Sequence, residues 1–134
     1  MKRKVGKIFW AGFLLALVTA GAALAAPNAI GVGEAAALQR SGALLLDVRE
    51  PEEYAQGHAP GSTLIPLGQL QSRLRELDAF KDRRIAIICR SGRRSALALR
   101  MLERSGYSAA ANVEGGMIAW KKAGLPIKPD AASR

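Results

Sequence analysis

IAIICRSGRRSALALRMLERSGY, residues 85–107, places a strand, a tight loop and a helix in succession and carries the chain's one cysteine at the first junction. Residues 84–89 form the most apolar of the short runs. Their burial pattern is continuous rather than alternating, which is the mark of a strand covered on both faces of a parallel sheet. From Ser95 onward, Ala98, Leu99 and Leu102 fall on one helical face, and Gly106 suits the end of that helix. The intervening RSGRR must therefore turn over the helix N-terminus, where unpaired backbone N–H groups point outward and the helix dipole favours negative charge. A thiolate is stabilised in such a position and its pKa falls. Gly92 lets the loop curl without a Cβ in the way. Arg90, Arg93 and Arg94 add positive potential and bidentate donors for an oxyanion. On this reading Cys89 is a catalytic nucleophile, and Arg90, Ser91, Gly92, Arg93, Arg94 and Ser95 form a substrate-binding cradle. The competing reading is a buried structural cysteine whose arginines face solvent; the glycine, the arginine cluster and the strand-to-helix junction together favour the nucleophile.

Working outward, residues 32–39 (VGEAAALQ) predict a short helix ending near Ser41 and Gly42. ALLLDV, residues 43–48, is a second continuous apolar strand closed by a charge. Residues 51–55 predict one or two helical turns starting at a proline, and STLIPL, 62–67, a short strand stopped by Pro66. Leu67, Leu70, Leu74 and Leu77 recur at helical spacing with polar residues between them, which predicts an amphipathic α-helix. Residues 107–113 can supply another strand, and MIAWKKAG, 117–124, a last short helix. Strands and helices that alternate through short connections predict an α/β fold: a small three-layer domain with a mostly parallel central sheet. Its active region is expected beyond the carboxyl ends of the strands, where Asp47 and Cys89 fall.

The 134 residues have room for one domain once the N-terminus is set aside. That end opens MKRKVGK, runs through 19 uncharged residues from Ile8 to Ala26, and finishes in Ala and Gly. The order of basic region, apolar core and small residues predicts a signal peptide over 1–25, with an uncleaved membrane anchor as the alternative. Residues 26–134 then form the domain, expected beyond the cytoplasmic membrane, in the periplasm, or anchored to that membrane and facing the periplasm where the leader is uncleaved. Setting that leader apart leaves 16 Lys and Arg against 11 Asp and Glu, a net charge of +5. With no spread basic stripe or recognised module, nucleic-acid binding is excluded and a local pocket for a small anion fits better. A single cysteine makes no internal disulfide, and one His with one Cys makes no zinc set. No metal or cofactor is expected, and without a coiled-coil heptad the chain is read as a monomer.

His58, in AQGHAPG, is read as bracing a tight loop, with a general acid or base role as the alternative. Asp47 and Arg49 are read as a structural pair beside the pocket rather than as substrate contacts. Glu114 and Trp120 are read as architectural, Trp120 as core.

Three stretches together resemble the rhodanese-like domain family: LLLDVREPEEYAQGHAPGSTLIPL, IAIICRSGRRSALALRMLERSGY and NVEGGMIAWKKAGLPI, covering about residues 30–128. The resemblance implies a sulfurtransferase in which Cys89 takes a sulfane sulfur from a donor such as thiosulfate and passes it, from a persulfide, to cyanide, a thiol or a protein acceptor. It implies that the backbone N–H groups of residues 90–95 cradle the outer sulfur and that Arg90, Arg93 or Arg94 guides the sulfonate. Two alternatives stay open. Domains of this family also serve as noncatalytic binding modules, though without the nucleophile. Related phosphatases and arsenate reductases place an arginine at the sixth position after the cysteine; that position is Ser95 here, and the arginine comes one residue early, at Arg94.

Overall fold

Apolar runs of four residues build the middle of a five-stranded, all-parallel sheet in the computed structural model, which describes residues 28–129. The leader read in residues 1–25 lies outside the described residues. The strands are β1 (Ala29–Ile30), β2 (Leu44–Asp47), β3 (Thr63–Leu64), β4 (Ile85–Ile88) and β5 (Ala110–Val113), in the spatial order β1-β5-β4-β2-β3. Every residue of β2 and of β4 is buried, as their continuous apolar sequences require.

Alternate residues of these strands serve two apolar layers. Leu44, Leu46, Ile85, Ile87 and Ala110 face α4 (Arg93–Arg104), α3 (Leu67–Leu70) and the 3₁₀ helix that follows it. Leu45, Ala86, Ile88, Ala111 and Val113 face α1 (Val32–Arg40) and α5 (Gly116–Lys122), where Trp120 and Met117 close the layer. Each large apolar side chain removed from water in these layers contributes about 1.5–3 kcal/mol. The sixth helical element, α2 (Pro51–Gln56), joins β2 to β3 and buries none of its residues fully.

Several elements differ from the expected ones, β5 among them, which starts at Ala110 rather than at residue 107. The strand expected over 62–67 narrows to Thr63–Leu64, although Ile65 N–H and Leu67 N–H still donate to the carbonyls of Asp47 and Val48. The single α-helix expected over 67–77 divides into α3 and a 3₁₀ helix, Gln71–Phe80. Leu74, Leu77 and Phe80 recur at every third residue, and a three-residue turn stacks them on one line against the core. Helix α4 begins at Arg93, two residues before Ser95, because Gly92 takes up the turn with φ +103°. Strand β1 has no counterpart in the sequence reading.

From β2 the chain moves outward to β3, then returns past β2 to place β4 on its other side. This reversal opens a crevice at the carboxyl ends of β2 and β4. Asp47 ends one strand and Cys89 follows the other.

Candidate active site

Cys89 leaves β4 as a buried side chain, and the next three residues turn back over it before α4 starts. Gly92 N–H donates to Cys89 Sγ at 3.1 Å, and Ser95 Oγ lies 3.2 Å from the same sulfur. Burial pushes the Cys89 thiol up. Hydrogen bonds from the Ser95 hydroxyl and from the backbone N–H groups of Ser95, Gly92 and Ser91 outweigh it, and the pKa falls below that of an ordinary thiol.

The turn is strapped from the other side by α5. Met117 N–H donates to the carbonyl of Cys89 at 2.8 Å and Ile118 N–H to that of Arg90 at 3.1 Å. Such an approach leaves no room at Gly116: a Cβ built there meets Cys89 O at 2.4 Å and Arg90 O at 2.6 Å. The Gly115-Gly116 pair supplies two successive positive φ values at this point.

The three arginines of the loop have separate fates. Arg94 forms two bonds to Glu53, 2.6 and 2.8 Å long, tying α4 to α2. That guanidinium, more than any other effect, holds the Glu53 carboxyl down at about 2. Arg90 and Arg93 are exposed. Arg90 lines a cleft of about 190 Å³ together with Arg49, Glu53, Gly57, Met117 and Lys121.

The sequence model of the rhodanese-like domain matches residues 32–123. The chain belongs to this family. A protein named sulfurtransferase from Allochromatium vinosum is 44% identical over 84 residues, covering 63% of this chain and 77% of the relative. "Thiosulfate sulfurtransferase 16, chloroplastic" of Arabidopsis thaliana is 34% identical over 117 residues, covering 76% of this chain and 93% of that one. Among solved structures, a rhodanese-related protein from Thermoplasma volcanium superposes with a TM-score of 0.70 at 31% identity, covering 77% of this chain and 99% of that one.

In this rhodanese-like domain the acidic and basic residues at the end of β2 form a closed unit. Asp47 is fully buried and accepts from Arg49 Nη2 at 2.8 Å and from Nε and the backbone N–H of Arg49 at 3.0 Å. Arg49 Nη2 also donates to the carbonyl of Gly57 at 2.9 Å, so the pair anchors the loop after α2. His58 stacks on Tyr54 with ring centroids 3.7 Å apart, and its Nδ1–H donates to the Tyr54 carbonyl at 2.9 Å. Its backbone pairs with Lys128 in both directions. Trp120 packs in the core and donates to the carbonyl of Pro126, whereas Glu114 is exposed.

Ser95, read as part of a substrate-binding surface, is 0% exposed and sits under the sulfur, so its contact is with Cys89 itself. Sequence reasoning did not single out Glu53, Asn112 or Gly116 as members of this site. Asn112 is the one polar residue of β5, and its side chain reaches both Ser95 and Gly92. A lone amide inside a short apolar strand was the available signal, since a polar side chain there needs partners.

Proposed function

We propose that this domain is a sulfurtransferase that carries a sulfane sulfur as a Cys89 persulfide, with thiosulfate or a similar anion as donor. The observation that carries the reading is the Cys89 sulfur, held by Gly92 N–H at 3.1 Å inside a turn whose Ser91 and Ser95 N–H groups also favour the anion. The Cys89 thiolate attacks the outer sulfur of thiosulfate, the S–S bond of the donor breaks, and sulfite leaves with the bonding pair. The persulfide Cys89-S-S⁻ then carries its charge on the outer sulfur, within reach of preorganised N–H donors. A thiophilic acceptor attacks that outer sulfur. Cyanide leaves as thiocyanate, or a thiol leaves as a persulfide, and Cys89 returns as the thiolate.

In this scheme exposed Arg90 and Arg93 guide the sulfonate end of the donor, and Arg94 keeps the turn in place through Glu53. The names of the relatives support sulfur transfer by the family. The basic and apolar leader supports action beyond the cytoplasmic membrane; cell fractionation with an antibody to the domain checks it.

Intact mass of the purified protein, taken before thiosulfate, after thiosulfate and again after cyanide, tests the chemistry beside a Cys89→Ser control. Gain of one sulfur atom and its loss to cyanide, both absent in the control, are expected. A folded, reduced protein that gains nothing from thiosulfate or other sulfane donors overturns the reading.

A further inference from the structure

The Ser95 hydroxyl has one hydrogen and two neighbours that want it. Cys89 Sγ lies 3.2 Å from Ser95 Oγ, and Asn112 Oδ1 accepts from that same oxygen at 2.6 Å. Asn112 Nδ2 in turn donates to the carbonyl of Gly92 at 3.2 Å, and Gly92 N–H donates to Cys89 Sγ. Cys89, Ser95, Asn112 and Gly92 thus close a ring of four hydrogen-bonded groups. We infer that Asn112 is a positioning residue that sets whether the Ser95 proton points at the amide or at the Cys89 sulfur.

With the proton on Asn112, Ser95 Oγ has only lone pairs to offer the sulfur. That arrangement matches the thiol, whose S–H donates to Ser95. When the thiol proton passes to water, Gly92 N–H still holds the sulfur, and the thiolate gains a second, charge-assisted bond when Ser95 turns its hydrogen toward Sγ. The Ser95 and Asn112 oxygens are then 2.6 Å apart with no hydrogen between them. The amide has to turn over or withdraw, giving up its bond to Gly92, the residue whose N–H also holds the sulfur. Asn112 therefore competes with the thiolate for one proton. Once Cys89 carries an outer sulfur, the inner sulfur is neutral and a weak acceptor, and the hydroxyl returns to Asn112. The amide favours the two states in which Cys89 Sγ is not an anion. Its value in catalysis rests on the proposed sulfur transfer, whereas the proton competition does not.

The charged groups on the elements about the turn are Arg90 on the turn, Arg93 and Arg94 on α4, Glu53 on α2, Asp47 at the end of β2, Arg49 just after it, and Lys121 on α5. Replacing Asn112 by an uncharged residue alters none of them.

The test is the Cys89 pKa, measured from the pH dependence of iodoacetamide alkylation followed by intact mass. It is measured in the wild type, Asn112→Ala, Ser95→Ala and the double variant. Asn112→Val, which suits a strand, is run alongside, and the variant with the more cooperative thermal melt is used in the cycle. Removal of the amide is expected to lower the pKa by about one unit, near tenfold more thiolate, when Ser95 is present, because the freed hydroxyl makes a charge-assisted bond. In the Ser95→Ala background the same change is expected not to lower it. Equal shifts in the two backgrounds, no shift in either, or a rise with Ser95 present overturn the inference. Thiosulfate loading measured on the same samples separates the cases: a wild type that never gains sulfur sinks the sulfurtransferase reading while the pKa cycle still judges Asn112.

Discussion

Gly116→Ala puts the strap between α5 and the active turn under a direct test. The added Cβ meets Cys89 O at 2.4 Å, Arg90 C at 2.6 Å and Arg90 O at 2.6 Å, all of them backbone atoms with no flexible end to yield. Its φ of +53° adds about 1–2 kcal/mol for a non-glycine residue. Separating the two backbones enough to admit the methyl also weakens Met117 N–H to Cys89 O and Ile118 N–H to Arg90 O, at about 1 kcal/mol each. The sum is a loss of about 3–4 kcal/mol, close to the upper end for single substitutions. Urea unfolding followed by circular dichroism measures it. Because the displaced atoms belong to the nucleophile and its neighbour, persulfide formation is expected to slow by about 10²-fold for a misplacement near 1 Å. Gly33→Ala serves as the control: Gly33 is exposed on α1, and a Cβ there meets nothing within 4 Å. That change is expected to stabilise by about 0.5–1 kcal/mol. If Gly116→Ala unfolds at the same urea concentration as Gly33→Ala and loads sulfur at the wild-type rate, the strap does not position Cys89.

Asp47→Ala leaves Arg49 buried without its counter-charge and is expected to destabilise by about 3–5 kcal/mol, read as a fall in the urea midpoint at unchanged slope. Glu53→Gln removes the carboxylate that holds Arg94. The folded-state pKa of Glu53 is depressed from 4.5 to about 2, so its contribution is present above pH 4.5 and is lost as the pH falls toward 2. For a pair this accessible the contribution is about 1 kcal/mol at pH 7. Thermal melts of variant and wild type should therefore differ by a few degrees at pH 7 and converge near pH 2. Arg90→Ala is expected to raise KM for thiosulfate by about tenfold with kcat within twofold, as loss of a contact made equally in ground and transition states requires; an equal fall in kcat would place Arg90 in the chemistry instead.

The middle of the fold was legible because its information is local. ALLLDV and IAIIC are apolar without alternation, and burial on both faces follows from that alone. Boundaries set by distant contacts were not. Two-residue β1 has an exposed Ala29 and a buried Ile30, and what makes it a strand is its pairing with Asn112 and Val113 more than 80 residues on. Leu67, Leu70, Leu74 and Leu77, spaced three, four and three apart, fit the α-helical period as a set, and Phe80, which extends the run from Leu74 at every third residue, stands beyond the stretch that suggested the helix. In the site, Cys89 and its turn were visible in one segment. Glu53 was not, because it meets Arg94 across 41 positions. Gly115 and Gly116 lie inside the stretch NVEGGMIAWKKAGLPI, but the reason for Gly116 is the backbone of Cys89 and Arg90, which no local pattern contains.

The arrangement also divides the labour of the loop differently from the charge pattern in RSGRR. Three arginines beside a cysteine suggest that their charge makes the thiolate. Yet the leading groups that lower the Cys89 pKa are the Ser95 hydroxyl and the N–H groups of Ser95, Gly92 and Ser91, and the attraction between Arg94 and Cys89 is secondary to them. Arg94 is engaged by Glu53, and Arg90 and Arg93 extend into solvent. Hydrogen bonds from a turn fixed by α5 act at contact distance on a buried sulfur, where they are strengthened by the low local dielectric. Exposed guanidinium groups act at longer range and are screened by salt. The thiol is thus tuned chiefly by the Ser95 hydroxyl and the backbone N–H groups of the turn, and exposed Arg90 is left free at the cleft it lines. Under the proposed sulfur transfer, this separation would let the outer sulfur of a persulfide take over the N–H donors without any rearrangement of charge around them.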